Sequence, residues 1–520
     1  MSDLKRGVRR LASNYTRLGS TLLLGLIEVP LILFWLGVNG FGVITLLGPT
    51  IGIGGIVTEV INQALVREIG AAWHSKDERE FQRTYRSAWV LSLLTSLVTA
   101  PIFAILIFLV LPNLSIGDAL LGPAQTMGIA MAVFAMSSIA LSPLLVTLLV
   151  REQFVIHNSM LVIHRSAGLV AAVLGLLLIG RDNPGRGIEF YGIVSASLMI
   201  LIAAATAGII LFRNPELSPR PQRGAVRTIA GTFGWNTLAI VSLNLGDRIP
   251  LVLVNYFFGN AGSAIYGVAW RLGAYARMVT VGATFGLEAV STRLSSTDGS
   301  GEAIRRFLSQ ATRINATVAL PAAICISVLA EPLLRLWIAR SLEDPEAVIA
   351  MAVPITQLVV VTLVIRGISE GWIRILYGDG HVKRYAPFIA AVSLCTPVLC
   401  AVFASVLPAP WDFRSVALVF SAIAVVAYVG VLPAIGSKAL GVPRLAFYRP
   451  MLMPALASLS ILPVLGGFWL SGVPWTLPRL AFAVGCCGVM FIAIAWRVVC
   501  TAEERRMLGS RFGLVRQRIG

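Results

Sequence analysis

Among the ionisable residues that stand inside apolar stretches, five are placed to do chemistry: Glu28, Asp247, Arg248, Arg271 and Arg277. A charge in hydrocarbon costs at least about 2.5 kcal/mol even on insertion scales, so such a residue by default marks a substrate or ion pathway. Two chemistries fit. Arginine offers a planar fork of donors that matches phosphate oxygens two at a time, which makes Arg271, Arg277 and Arg248 candidate ligands for an anionic substrate. A carboxylate can take up and release H⁺ or Na⁺, which makes Glu28 and Asp247 candidate ion-coupling residues. Glu28 lies eleven residues beyond Arg17, about 16 Å at the helical rise, near the middle of a bilayer. Asp247 and Arg248 are central in a stretch opened by Gly231 and Gly234 and interrupted by Pro250. Helix neighbours at i and i+1 face different sides, so each needs its own partner or water. Arg271 and Arg277 lie roughly 12 and 21 Å below the outer end of their stretch by the same rise.

The remaining charges and nucleophiles have plainer readings. Arg366, Glu370 and Arg374 follow at i, i+4 and i+8, so they line one helix face and form a structural ladder. Arg165 and Arg335 fall near the ends of apolar stretches, where long basic side chains snorkel to the interface. His157 and His164 could share a face but lack a third ligand, so no metal is expected. The six cysteines all fall in or beside apolar runs and read as small packing residues. There is no GxxxxGK[ST] loop, no HExxH and no CxxC, so no soluble-enzyme chemistry is expected. No organic cofactor is expected either.

The elements that must carry these residues are transmembrane helices. The 520 residues are 57% hydrophobic and 13% charged, with mean hydropathy +0.83, against roughly 25% charged in soluble domains. Runs of roughly 20 apolar residues can cross a bilayer, and about fourteen are predicted. They are 17–36, 41–63, 87–111, 126–150, 159–180, 188–212, 231–258, 263–290, 314–338, 350–374, 386–407, 415–436, 451–471 and 476–499. The first run holds Glu28 and Pro30 and lacks a small-residue cleavage site, so it reads as a retained span.

Net charge +17 would suggest nucleic acid in a soluble protein, but its distribution says otherwise. With the N-terminus inside, 30 of the 42 Lys and Arg residues fall in inside segments and 5 in outside ones, the rest lying in spans. That excess sets orientation. The expectation is a cytoplasmic membrane protein with both termini cytoplasmic and no nucleic-acid partner.

The Pro- and Arg-rich segment 213–227 reads as a cytoplasmic linker. It separates an N-terminal lobe, residues 1–212, from a C-terminal lobe, residues 228–440, with residues 441–520 forming two appended helices and a basic tail. The openings of the lobes repeat one another. Glu28, Pro30-Leu31-Ile32-Leu33, Leu36-Gly37, Phe41-Gly42-Val43 and Arg67 match Asp247, Pro250-Leu251-Val252-Leu253, Phe258-Gly259, Tyr266-Gly267-Val268 and Arg293 in order. Six crossings separate the copies, so the repeat is parallel. The expected fold is therefore an all-α polytopic membrane protein, two six-helix lobes in parallel pseudo-twofold repeat plus two appended helices.

The segment from Asn14-Tyr15 to Arg67-Glu68-Ile69 resembles the opening of bacterial polysaccharide flippases of the O-antigen type. The stretch Tyr266-Gly267-Val268-Ala269-Trp270-Arg271-Leu272 is similar to the eighth helix of that group and of the related lipid II flippase, and Ala330-Glu331-Pro332-Leu333-Leu334 to the end of the ninth. The resemblance implies lobes that face a central cavity and open alternately to each side. It implies as substrate a glycan on a polyprenyl diphosphate, moved to the outer leaflet for cell-surface polysaccharide synthesis, with Arg271 at a diphosphate-engaging position. Membrane lipids, and a polysaccharide polymerase and co-polymerase, would be the partners. The chain departs from the lipid II flippase in having no arginine deeper than Arg17 in the first span and Glu28 instead.

The residues support the same reading on their own. A diphosphate cannot cross ~30 Å of hydrocarbon bare, so its carrier must offer fixed cations. The first alternative is a multidrug exporter of the same superfamily, whose usual cationic substrates favour an acidic cavity. The alternative of another class is a membrane-embedded glycosyltransferase or glycan polymerase, which needs a larger outside loop than any expected here.

Overall fold

The computed structural model describes residues 3–75, 77–222, 224, 226–231, 234–284, 287–297, 301–409, 411–502, 504 and 505, and every regular element among them is a helix. Lys76, Arg223, Asp298, Gly299, Ser300 and the tail arginines Arg506, Arg511, Arg516 and Arg518 lie outside the described residues. The helices are α1 (Asp3–Ile51), α2 (Ile53–His74), α3 (Glu78–Ile105), α4 (Asp118–Val150), α5 (Phe154–Leu178) and α6 (Pro184–Arg213). The short α7 (Val226–Gly231) leads to α8 (Trp235–Thr284), α9 (Leu287–Thr297), α10 (Glu302–Val328), α11 (Ala330–Ile338) and α12 (Pro345–Gly378). Then come α13 (Val382–Val406), α14 (Trp411–Ala424), α15 (Leu432–Leu440), α16 (Leu445–Leu459), α17 (Ile461–Leu470) and α18 (Leu477–Val498).

Among the described residues, twelve helical stretches of 22 to 42 residues are long and apolar enough to cross a membrane. Two of them, Ser13–Gly48 and Thr237–Met278, each contain a break; α8 divides into two span-length halves and the part of α1 beyond its break runs on through α2 to His74, which gives the expected fourteen. Large apolar side chains remain uncovered, Leu470 at 90% and Phe212 at 88% exposure among them. Such a surface suits hydrocarbon, where a helix also satisfies its own backbone polar groups. The protein is a multi-pass membrane protein.

The two breaks are the same break. Gly37 in α1 has φ 67°, ψ −177°, and Gly259 in α8 has φ 68°, ψ −165°, a region essentially reserved for glycine. These glycines occupy matched places in the sequence repeat. The neighbouring matched glycines are sites of close approach: a Cβ on Gly42 would collide with the Asn260 backbone, and one on Gly267 with Thr45. A hydrogen bond from Asn260 Nδ2 to the Ile116 carbonyl (2.7 Å) holds the same region.

The chain divides into two compact units. One comprises Met1–Val268, Trp337–Val348 and Ala386–Val419. In it α1 packs on α5, α4 on α2, α3 and α6, and α5 on α6, around a core that includes Ile69, Phe81, Tyr85 and Leu144. The expected linker is packed onto this unit. Leu217 is fully buried in the core, Tyr85 Oη donates to its carbonyl at 2.8 Å, and Arg151 pairs with Glu216 at 3.0 Å. The other unit comprises Ala269–Leu336, Ile349–Tyr385 and Phe420–Gly520. There α16 runs along α10, and Leu329, Ile461, Leu465, Leu480 and Cys487 form a shared core, so the C-terminal helices are built into the unit.

Candidate functional site

In the first unit Glu28 is 1% exposed, so it is a carboxylate wholly withdrawn from solvent and must be compensated. Two side chains do this. Tyr191 Oη on α6 donates to Oε1 at 2.8 Å, and Arg165 on α5 forms an ion pair with Oε2. Gly168, one turn beyond Arg165, makes room for the group: a Cβ there would strike both the Glu28 carboxylate and the Tyr191 hydroxyl. Trp35 Nε1 donates to the Gly180 carbonyl at 2.7 Å, joining α1 to the end of α5 a second time. Arg165 was expected to snorkel, and the structure corrects this. The helix begins at Phe154, five residues before the expected span, so Arg165 is eleven residues and about 16 Å along it, where it meets Glu28.

Asp247 and Arg248 lie half-buried in α8 of the same unit. Arg248 reaches the junction of α1 and α2, where Gly52 leaves space for its guanidinium and a Cβ would collide with it. Glu59 on α2 interacts electrostatically with Arg248, and Asn244, one turn earlier on α8, donates to Glu59 Oε2 at 3.3 Å. The hydropathy pattern did not single out Glu59 or Asn244, because a polar residue near the end of an apolar run is unremarkable until a partner is placed beside it.

In the second unit Arg277 and Arg271 are both half-buried on α8. Six residues apart at 100° each, they point to faces about 120° apart, so they do not form one cluster. Arg277 Nη2 donates to Glu370 Oε2 at 3.1 Å. Arg374 Nη2 donates to Glu370 Oε1 at 2.8 Å, and its Nη1 to Glu288 Oε2 at 3.2 Å. The expected rung between Glu370 and Arg374 is present and is extended by Arg277 and Glu288. Arg366 is 5% exposed and lies over the Tyr428 ring, 5.5 Å from its centre. Near Arg271, α12 approaches α8 closely at Gly273, where a Cβ would stand 2.9 Å from Leu363 and Val359 side-chain carbons.

The unit-one carboxylate is thus neutralised by an arginine, and α8 carries cations along both of its halves. The arrangement can bind ions and anions, and among the described residues no group of three or more His, Cys, Asp or Glu side chains could hold a metal ion. No family model and no curated protein matches the sequence. Solved structures do match. The lipid II flippase MurJ in an inward closed conformation superposes with TM-score 0.71 at 12% identity, covering 93% of this chain and 97% of its own. An inward-facing multidrug resistance MATE family transporter of the MOP superfamily gives 0.67 at 14%, covering 83% and 99%. The MATE multidrug transporter DinF-BH in complex with R6G gives 0.63 at 12%, covering 85% and 98%. These neighbours are transporters rather than enzymes, and the chain has the two-lobed helical fold that the MurJ flippase and the MATE transporters of the MOP superfamily share.

Proposed function

We propose that the protein flips a glycan carried on a polyprenyl diphosphate from the inner to the outer leaflet of the bacterial cytoplasmic membrane, by alternating access, in cell-surface polysaccharide synthesis. The observation that carries this reading is the set of arginines inside the spans, Arg271 first, with Arg277 and Arg248. Guanidiniums held in an apolar setting replace the hydration that a diphosphate must give up. The extent of the structural match supports the same reading. The MurJ superposition covers 93% of this chain and the MATE one 83%. Arg277 and Arg248 have acidic neighbours in Glu370 and Glu59; Arg271 is the residue on which the proposal depends most, because the resemblance of its helix places it at the diphosphate-engaging position.

Glu28 and Asp247 are the proposed ion-coupling carboxylates. For Glu28 the coupling takes a definite form: H⁺ or Na⁺ would replace Arg165 as the counter-charge during the cycle. Multidrug export is the second reading, supported by the MATE superpositions.

The test is substitution of Arg271 with membrane abundance and glycan export measured together. Arg271→Lys keeps the charge and loses the fork, so it retains partial export, while Arg271→Ala is present at normal abundance and inactive. A fully active, well-expressed Arg271→Ala protein would refute the role. Deleting the gene separates the two functions: a lipid-linked oligosaccharide trapped in the inner leaflet supports the flippase, and altered drug susceptibility with normal glycan export supports the exporter.

A further inference from the structure

The first turns of α3 carry three arginines on one face. Arg79, Arg83 and Arg86 follow at i, i+4 and i+7, and like charges so spaced repel one another. The helix start itself is capped by carboxylates, Asp77 Oδ1 accepting from the Arg79 and Glu80 N–H groups with Glu78 and Glu80 in the first turn, but among the described residues no ion pair holds the Arg79 or the Arg86 guanidinium. Arg83 is engaged elsewhere, donating through Nη2 (2.7 Å) and Nε (3.2 Å) to the Gly224 carbonyl.

The three line one cavity of about 440 Å³ together with Glu78, Gln82 and Gln222, a size within the ordinary range for small-ligand sites. Its far wall is the docked linker. Gln222 N donates to the Arg86 carbonyl at 3.2 Å, Gln82 reaches the Glu216 carbonyl at 3.4 Å, and the buried Leu217 anchors the segment below. Orientation of the chain in the membrane requires basic residues on this face, but it requires neither a shared cavity nor a packed wall opposite them. The level is also specific. Apolar sequence begins at Ala88, about 3 Å beyond Arg86 by the helical rise, and on the neighbouring α2 Trp73 is 40% exposed, as aromatic residues are at a head-group boundary.

We propose that this cavity binds a phosphate group, through the Arg79 and Arg86 guanidiniums with the Gln82 and Gln222 amides as further donors. The group can be carried on the head of an anionic membrane lipid or arrive as free phosphate. Three arginines and one glutamate leave an excess of positive charge suited to either.

The experiment uses the full chain in two arms. In nanodiscs of mixed phosphatidylglycerol and phosphatidylethanolamine, native mass spectrometry counts phosphatidylglycerol molecules retained per protein. In phosphatidylcholine nanodiscs, equilibrium binding of radiolabelled inorganic phosphate is measured. The variant is R79Q/R86Q, which leaves Arg83 to hold Gly224. The control is R444Q/R449Q, which removes the same charge from another segment expected on the cytoplasmic side. Loss of a retained phosphatidylglycerol in R79Q/R86Q and not in the control assigns the site to a lipid head group. At least about tenfold weaker phosphate binding, the equivalent of one lost charge-assisted contact, with unchanged lipid retention assigns it to the free anion. Parental behaviour in both arms, or an equal effect of the control pair, overturns the proposal.

Discussion

Replacing Arg165 by methionine removes the counter-charge of Glu28 while keeping an unbranched side chain of similar length. Glu28 is 1% exposed, so its carboxylate cannot recover hydration without moving α1 away from α5 and α6. Breaking a buried pair in this way costs about 3–5 kcal/mol. Here the Arg165 side chain is 32% exposed and Tyr191 still donates to Oε1, so the expected cost is at or below the lower end of that range, about 2–3 kcal/mol. Adding Glu28→Gln removes the stranded carboxylate and leaves an amide oxygen for the Tyr191 hydroxyl. The double variant should therefore be more stable than Arg165→Met alone by at least about 1 kcal/mol, a coupling typical of residues in direct contact. Denaturant unfolding in micelles, followed by tryptophan fluorescence, measures all four proteins of the cycle. An Arg165→Met protein as stable as the parent, or a double variant no more stable than the single one, would refute the reasoning.

Gly37→Ala and Gly259→Ala each place a Cβ on a backbone conformation that only glycine adopts readily, so each should destabilise by about 1–3 kcal/mol; thermal midpoints in detergent check this, and an alanine variant matching the parent would contradict the break described for α1 or α8. Reporters fused after Arg220 or Arg306 should read cytoplasmic and those after Asn39, Asn113 or Asn260 external, and the C-terminal tail should read cytoplasmic; an external tail would contradict the expected fourteen-span topology. Glu504 accepts from the Thr501 N–H at 2.9 Å and pairs with Arg313, and these contacts, the backbone bond foremost, hold its pKa below the usual carboxylate value. A depressed folded pKa stabilises docking of this segment above the unfolded value, about 4.3, and that contribution is lost as pH falls through the folded value. Amide exchange at residues 504 and 505 should accelerate, relative to its intrinsic rate, only at that acid end, and an equal change in Glu504→Gln would remove Glu504 as its cause.

Much of the architecture was legible in residue order alone. Apolar run length sets the number of crossings because bilayer thickness is fixed. The ordered repeat matched Gly37 with Gly259 before either backbone was known, since a break that only glycine tolerates leaves its mark on the sequence. Depth could also be counted at 1.5 Å per residue, which identified Glu28 and the α8 arginines as buried charges. Partnership could not be counted. Arg165 and Glu28 are 137 residues apart, Tyr191 and Glu28 163, and Arg277 and Glu370 93. A single helix fixes how deep a side chain lies, but which neighbouring helix meets its face depends on how the helices pack. That packing turned Arg165 from an interfacial residue into the counter-ion of Glu28 and set Leu217 and Gln222 of the linker against α3.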